Sequence, residues 1–188
     1  MPPECLEVAL TRAAEGDEAA ISTLYRSLNP LLLRYLRHHV GRVAEDVASE
    51  VWLALAPQMA DFGGSLEQFR ALMFTIASRR VVDEYRRNGR QTPTVSFSDD
   101  FAETFDRADS CDTEAQVIGR ITAQSAVERL VGCLPEDQAE IVLLRVLGDL
   151  EVAQVAEIVG KSNGAVRIAQ HRALQRLQRT WQRKVVTR

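Results

Sequence analysis

Between Gln91 and about Thr113 the helical periodicity that governs the rest of the chain stops. Thr, Ser, Pro and Asp accumulate there, and seven acids fall between Asp99 and Glu114, interspersed with Phe97, Phe101 and Phe105. A segment so rich in charge buries too little apolar surface to offset the entropy of ordering, and reads as a tether with little fixed structure of its own. On either side, apolar residues recur at three- and four-residue intervals, with no alternating strand pattern and no internal repeat. The expected fold is all-α: two small helical domains, residues 1–90 and 120–188, joined by a flexible acidic linker over 91–119.

In the first half, Leu6, Ala9, Leu10 and Ala13 share a helical stripe, and Ile21, Leu24, Tyr25 and Leu28 repeat it after Gly16-Asp17. Asn29-Pro30 is expected to interrupt or kink the helix, Leu31 to Val40 to resume it and Gly41 to end it. Ala44 to Ala56 forms the next helix, with Val47, Val51 and Leu55 inward and Pro57 marking its end. After the loop Asp61 to Ser65, Ser65 and Gln68 stand at capping-box spacing. The helix they open presents Phe69, Leu72, Met73, Ile76, Ala77 and Val81 inward. Helical pattern returns from about Glu114, and Leu134-Pro135 starts another helix with proline in its first turn.

The net charge of −3 conceals an uneven distribution. Residues 1–90 carry 11 basic and 12 acidic side chains, for −1; residues 91–126 carry 2 and 7, for −5; residues 127–188 carry 10 and 7, for +3. Local charge, not the sum, sets the field that a phosphate meets. No stretch approaches the ~20 apolar residues of a membrane span, and Met-Pro-Pro-Glu does not open a secretory signal, so a cytoplasmic protein with no membrane insertion of its own is expected. Cys5, Cys111 and Cys133 are odd in number and widely spaced, which suits reduced thiols better than a disulfide framework or a zinc site. His38 and His39 read as surface residues of a helix. No metal and no cofactor are expected, and Asp83 and Glu84 point apart rather than forming a catalytic pair.

The basic end is concentrated. From Ile158 to Arg188 there is no acid, and eight Lys or Arg: Lys161, Arg167, Arg172, Arg176, Arg179, Arg183, Lys184 and Arg188. Ala156, Gly160 and Val166 stand at helix-turn-helix spacing: a small residue at the helix crossing, a turn residue free to adopt positive φ, and a plug for the shared core. Ser162 is placed to cap the second helix. On that helix Val166, Ala169, Ala173 and Leu177 share the inward face, while Arg167, Ile168, His171, Arg172 and Gln175 share the outward one. Arginine suits guanine edges or phosphates, His171 and Gln175 can hydrogen-bond bases, and Ile168 can touch a thymine methyl. Arg176, Arg179, Arg183 and Lys184 are better placed for the DNA backbone.

The run Ala44-Glu45-Asp46-Val47-Ala48-Ser49-Glu50-Val51-Trp52-Leu53, followed by Phe69 to Arg87, Leu134-Pro135, the helix to Val159 and the basic end, resembles a bacterial sigma-70 family factor. It is similar to the small extracytoplasmic-function group, which has only regions 2 and 4, over roughly 19–88 and 120–182. The resemblance implies that the Asp46–Leu53 helix, through Asp46, Ser49, Glu50 and Leu53, docks on the β′ coiled coil of RNA polymerase core. It implies that Phe69 to Arg87 opens and reads the −10 element, with Arg79, Arg80, Arg86 and Arg87 holding the single strand and the loop at Phe62 receiving a flipped base. It implies that Lys161, Ser162, Arg167, Ile168, His171, Arg172, Gln175 and Arg176 contact the −35 element. Ser49 stands where Gln is common, Leu72 and Arg79 where Trp and Asn are frequent, and Ala169 replaces a usual Arg, which implies altered −35 contacts.

The partners so implied are the polymerase core, through its β′ coiled coil and β flap, promoter DNA and an anti-sigma factor. The chain is then not an enzyme. The acidic linker would thread through polymerase toward the RNA exit path, or serve as a solubilising spacer. The competing class is a stand-alone helix-turn-helix regulator that binds duplex DNA without polymerase as a symmetric dimer. A DNA-processing enzyme would need clustered carboxylates or metal ligands, and the sequence offers none.

Overall fold

The computed structural model describes residues 3–89 and 131–186, with side chains over 5–89 and 131–182. The acidic linker over 91–119, with Cys111, lies outside the described residues, as does the expected return of helix from Glu114. Among the described residues every regular element is a helix, in the order α1 Pro3–Ala14, α2 Glu18–Val40, a 3₁₀ turn Gly41–Val43, α3 Ala44–Met59, α4 Leu66–Arg87, α5 Glu136–Val146, α6 Val152–Val159 and α7 Asn163–Val186. The first four form an N-terminal bundle and the last three a C-terminal one.

Two helices of the N-terminal bundle, α2 and α4, start at side-chain caps. The Asp17 carboxylate accepts from Ala19 N at 2.9 Å and Ala20 N at 3.1 Å, and Arg12 pairs with the same carboxylate. Both bonds hold Asp17 below the usual carboxylate range, the one from Ala20 most strongly. At α4 the Ser65–Gln68 box closes in both directions. The Glu7 carboxylate of α1 also accepts from Leu66 N at 3.0 Å, tying the first helix to the start of the fourth.

At both prolines the helix runs on. Pro30 does not interrupt α2, which runs unbroken for 23 residues, and Pro57 lies inside α3 rather than at its end. A mid-helix proline costs ~3 kcal/mol. Leu24, Leu28, Leu32, Tyr35 and Leu36 on one stripe of α2 are completely buried, and each returns roughly 1.5–3 kcal/mol, so packing holds the helix together across Pro30. Pro57 falls in the last turn of α3, where little helix remains to disrupt. The inward stripe of α4 also differs: Phe74 is fully buried while Leu72 and Ile76 are only half-buried.

In the C-terminal bundle Pro135 stands at the N-cap of α5, with Glu136 the first helical residue. Glu151 and Gln154 box the start of α6. Gly160 takes a left-handed φ of 67°, and Lys161 N closes on Ala156 O at 2.9 Å. Ser162 Oγ accepts from Ala165 N at 3.2 Å, capping α7 as its spacing suggests. Ala156, Val166, Ala169 and Ala173 are buried where the helices cross. Cys133 is disulfide-bonded, contrary to the expectation of reduced thiols, whereas Cys5 is free and exposed.

The two bundles pack on one another and share one continuous core. Gly148, after α5, permits the approach: a Cβ there would meet Leu144 O at 2.6 Å and Phe74 of α4 at 3.2 Å. Polar contacts also cross the seam. Tyr35 Oη donates to Glu140 Oε1 at 2.7 Å, and Tyr85 Oη bridges His39 O at 3.0 Å and Glu136 Oε1 at 3.2 Å. Arg70 pairs with Asp149 at 2.9 Å.

Candidate nucleic-acid and polymerase interfaces

The outward face of α7 is a single exposed surface. Arg167, Ile168, His171, Arg172 and Gln175 are all exposed, and among the described residues no acid lies within ion-pairing distance of Arg167 or Arg172. His171 Nε2 and Gln175 Nε2 lie 2.9 Å apart, so the two side chains are already linked. Exposed Ser162 caps the helix, which leaves other N-terminal amides to face an incoming phosphate. Ala169 is only 6% exposed. It lies beneath the exposed face of α7 rather than on it.

Two residues of the expected −35 set stand apart. The Lys161 side chain is 6% exposed and turns toward the seam, with Nζ 3.8 Å from Asp137. Burial pushes its ammonium below the usual lysine range, partly countered by Asp137. Arg176 is half-buried, with Nη1 enclosed by protein. The side chains of Arg183 and Lys184 lie outside the described residues.

On α3, Asp46, Ser49, Glu50 and Leu53 recur at three- and four-residue spacing and share one face. Leu53 is 74% exposed, while Ser49 Oγ folds back to donate to Glu45 O at 3.0 Å. Beside it, Trp52 Nε1 donates to Asn29 Oδ1 at 3.0 Å, and its ring lies 5.1 Å from that of Tyr25. An amphipathic patch with an apolar point at Leu53 and acids at its edge is a surface suited to a basic helical partner.

The α4 arginines are arranged differently from those of α7. Arg80 Nε lies 3.6 Å from Glu50, Arg87 Nη1 lies 3.9 Å from Glu50 and 3.3 Å from Glu84, and Arg86 lies 3.7 Å from Asp83. Arg79 is exposed with no such acid nearby among the described residues. Glu50 thus joins the α3 face to the α4 arginines. Phe62 is half-buried, edge-on to Phe69 at 5.3 Å.

Sequence reasoning placed His38 and His39 on the surface; both are drawn inward. His39 is 9% exposed, and its Nε2 lies 2.6 Å from Glu140 Oε2 without forming an aligned hydrogen bond. Burial, reinforced by His39, lowers His38 to about 4. The cause is the unbroken α2, which carries the Leu28-Leu32-Tyr35 stripe on to His39. Extending that stripe past Pro30 was the signal available. The resulting seam pocket, of about 170 Å³, is lined by Tyr35, His39, Tyr85, Glu136, Glu140 and Lys161 among others. Among the described residues no cluster of His, Cys, Asp or Glu is disposed to hold a metal, and no helix is long and apolar enough to cross a membrane.

Comparison with known proteins matches residues 24–91 to Sigma-70 region 2 and residues 124–177 to Sigma-70, region 4. The ECF RNA polymerase sigma factor SigD of Mycobacterium tuberculosis is 35% identical over 185 residues, spanning 94% of this chain and 84% of its own. ShbA of Streptomyces griseus, another ECF sigma factor, is 36% identical over 174 residues, 88% and 90% of the two chains. In fold the chain is similar to CnrH, solved with the cytosolic domain of CnrY, at a TM-score of 0.58 with 19% identity over 95% of this chain and 97% of that one. It is equally similar, at 0.58 and 23% identity over 86% and 96%, to the Bartonella quintana sigma factor RpoE solved with the anti-sigma factor NepR. With regions 2 and 4 in order on two helical bundles, the chain belongs to the extracytoplasmic-function sigma factors, which bind RNA polymerase core and direct promoter-specific initiation.

Proposed function

We propose that residues 1–90 form the polymerase-docking and −10 module, 91–119 the linker and 120–188 the −35 module. The exposed, acid-free outer face of α7 behind a capped turn carries the reading. Arg167 and Arg172 take guanine edges or phosphate, His171 and Gln175 take base edges, and Ile168 meets a thymine methyl. Lys161 joins this set only when the seam releases it. Asp46, Ser49, Glu50 and Leu53 dock on the β′ coiled coil, and the C-terminal bundle docks on the β flap. Arg79, Arg80, Arg86 and Arg87 hold the melted −10 strand, with Phe62 at the edge of a base pocket.

The protein is not an enzyme; the polymerase performs the chemistry. It acts in the cytoplasm, and an anti-sigma factor restrains it, as the NepR complex of the Bartonella relative suggests. Each module grips only a short element, so affinity arises from linking two sites through one polymerase. Run-off transcription with purified core polymerase and a promoter library tests the reading: promoter-specific transcripts that depend on the added protein are expected. Tight operator binding by the protein alone, without such transcripts, would favour a stand-alone regulator instead.

A further inference from the structure

Ser78, Val81, Val82 and Tyr85 recur at three- and four-residue spacing, so they share one stripe of α4, and all four line the seam cavity. Tyr35 and His39 stand one turn apart on α2, and Glu136 and Glu140 one turn apart on α5. Ile158 and Val159 of α6 add apolar wall. Helices from both bundles thus turn side chains toward one volume of about 170 Å³. An engineered cavity of about 150 Å³ holds benzene, so a compact organic molecule of about six to eight non-hydrogen atoms fits here. Apolar walls with a few convergent polar groups are the usual make-up of a small-molecule site.

The charge of the lining is unbalanced. Three carboxylates, Glu136, Asp137 and Glu140, face one ammonium, Lys161, and one imidazole, His39. Even with the imidazole protonated, the acids outnumber the bases. Lys161 lies 3.8 Å from Asp137, which leaves the charge of Glu136 and Glu140. Tyr85 Oη lies 3.2 Å from Glu136 and Tyr35 Oη donates to Glu140 Oε1 at 2.7 Å, but hydroxyls are neutral and leave that charge in place. The other oxygen of Glu140 has no aligned hydrogen bond, and neither has His39 Nε2 beside it, although the His39 side chain is only 4% exposed. A buried polar atom without a hydrogen bond is costly, and a bound donor removes that cost at Glu140. The rings of Tyr35 and Tyr85 are a further source of attraction for a cation. Among the described residues no group of His, Cys, Asp or Glu is disposed to hold a metal, so the cation that suits this lining is organic.

We propose that the seam cavity is a binding site for a small organic ammonium ion with a short apolar body. The ammonium donates to Glu140 and Glu136, and the body lies against Val81, Val82, Ile158 and Val159. The same acids repel a carboxylate or phosphate ligand, and a neutral ligand leaves Glu140 without a charged partner. None of the outer-face residues of α3 or α7 belongs to the lining, so the site stands apart from the promoter and polymerase reading and its test needs neither.

Isothermal titration calorimetry on the full-length protein at neutral pH reads the site. The probe is benzylammonium, with benzyl alcohol and benzoate as neutral and anionic counterparts of similar shape. Benzylammonium is expected to bind with a Kd of about 0.1–1 mM, a range open to so few atoms, and about tenfold more tightly than either counterpart. Glu140→Gln keeps the size of the side chain and removes its charge; it is expected to weaken benzylammonium about tenfold and to erase the advantage over benzyl alcohol. Val82→Phe fills the cavity and leaves every charge in place; it is expected to abolish binding of benzylammonium. Circular dichroism checks that both variants keep their helices. Should one lose them, the other locates the site, and the selectivity among the three probes needs neither. No saturable binding of benzylammonium below about 10 mM overturns the proposal and leaves a cavity for water only. Benzyl alcohol or benzoate binding as tightly as benzylammonium overturns the ligand class. Benzylammonium affinity unchanged in a helical Glu140→Gln or Val82→Phe places the binding elsewhere and overturns the site.

Discussion

The two arginine-bearing faces of this protein use the same side chain in opposite electrostatic settings. On α7, Arg167 and Arg172 stand exposed with no acid in reach among the described residues; on α4, three of the four arginines proposed for the −10 strand, Arg80, Arg86 and Arg87, lie against Glu50, Asp83 or Glu84. An unpaired guanidinium offers its full charge and bidentate fork to duplex DNA. A paired one must first lose its acid. The contrast fits the tasks proposed for the faces: α7 meets a duplex that is already formed, whereas the α4 arginines are wanted only once a strand has opened beside polymerase. The bundles differ in support as well. The N-terminal one stands on a deep stripe of fully buried side chains, and the small C-terminal one leans on it through Phe74 and the polar seam.

The largest effect is expected where the two bundles share a wall. Phe74 is completely buried, edge-on to Tyr35 at 5.3 Å and close against Gly148. Phe74→Ala should cost about 3–5 kcal/mol in urea denaturation followed by circular dichroism. If the C-terminal bundle leans as described, its tryptophan, Trp181, should report an earlier transition than Trp52 of the N-terminal bundle. Coincident transitions with a loss under 1 kcal/mol would show that the bundles do not share this wall.

Next in size is the open face itself. Arg172→Ala should reduce −35-dependent transcription by about ten-fold, the 1–3 kcal/mol of one good base contact, while binding to core polymerase persists. Equal loss of both activities would remove Arg172 from the reading surface.

The seam has a pH signature of similar or smaller size. His38 is lowered to about 4 in the fold, chiefly by burial, against about 6.5 in an unfolded chain. Between those values the unfolded chain binds a proton that the folded one refuses, so stability falls as pH drops from about 6.5 toward 4; above 6.5 both states are neutral and the slope vanishes. With screening by solvent the loss at pH 4 is at most about 2 kcal/mol. His38→Gln should flatten that part of the stability curve, and an unchanged slope would place its cause elsewhere.

What the sequence disclosed and what it hid divides along the same line. Local devices were legible: the Ser65–Gln68 box, Ser162 as a cap, Gly160 as the left-handed turn, and the buried Ala156 and Val166 of the crossing, because each is decided within a few residues. Tertiary overrides were not. Pro30 and Pro57 carry a strong local signal to break helices, and only the burial of residues such as Leu28 and Leu32 outweighs it. Allowing a break or kink at Pro30 also hid the seam, since it detaches His39 from the stripe that runs through Leu28, Leu32 and Tyr35. The outward faces of α3 and α7 followed from periodicity, but the pairing of Glu50 with Arg80 and Arg87 joins two helices and has no local trace in the sequence. Lys161 shows the same limit: its charge suggested DNA, and its burial beside Asp137 depends on the other bundle.

The smallest expected effect bears most directly on the contrast between the faces. Glu50 lies 3.6 Å from Arg80 and 3.9 Å from Arg87, and these side chains remain 36–58% exposed, so each pair contributes only ~0.2–1 kcal/mol. Glu50→Gln keeps the size of the side chain and removes its charge. The free protein should then bind a single-stranded −10 oligonucleotide about two- to threefold more tightly at low salt, with the gain lost as ionic strength rises and screening weakens both the pairs and the strand contacts. Core affinity, measured in parallel, should fall, because the same carboxylate faces the proposed docking surface; docking that draws Glu50 away would free the arginines at the moment the strand opens. An oligonucleotide affinity that does not change, or a gain that persists in high salt, would mean that the α4 arginines are as available as those of α7, and the contrast between the two faces would not hold.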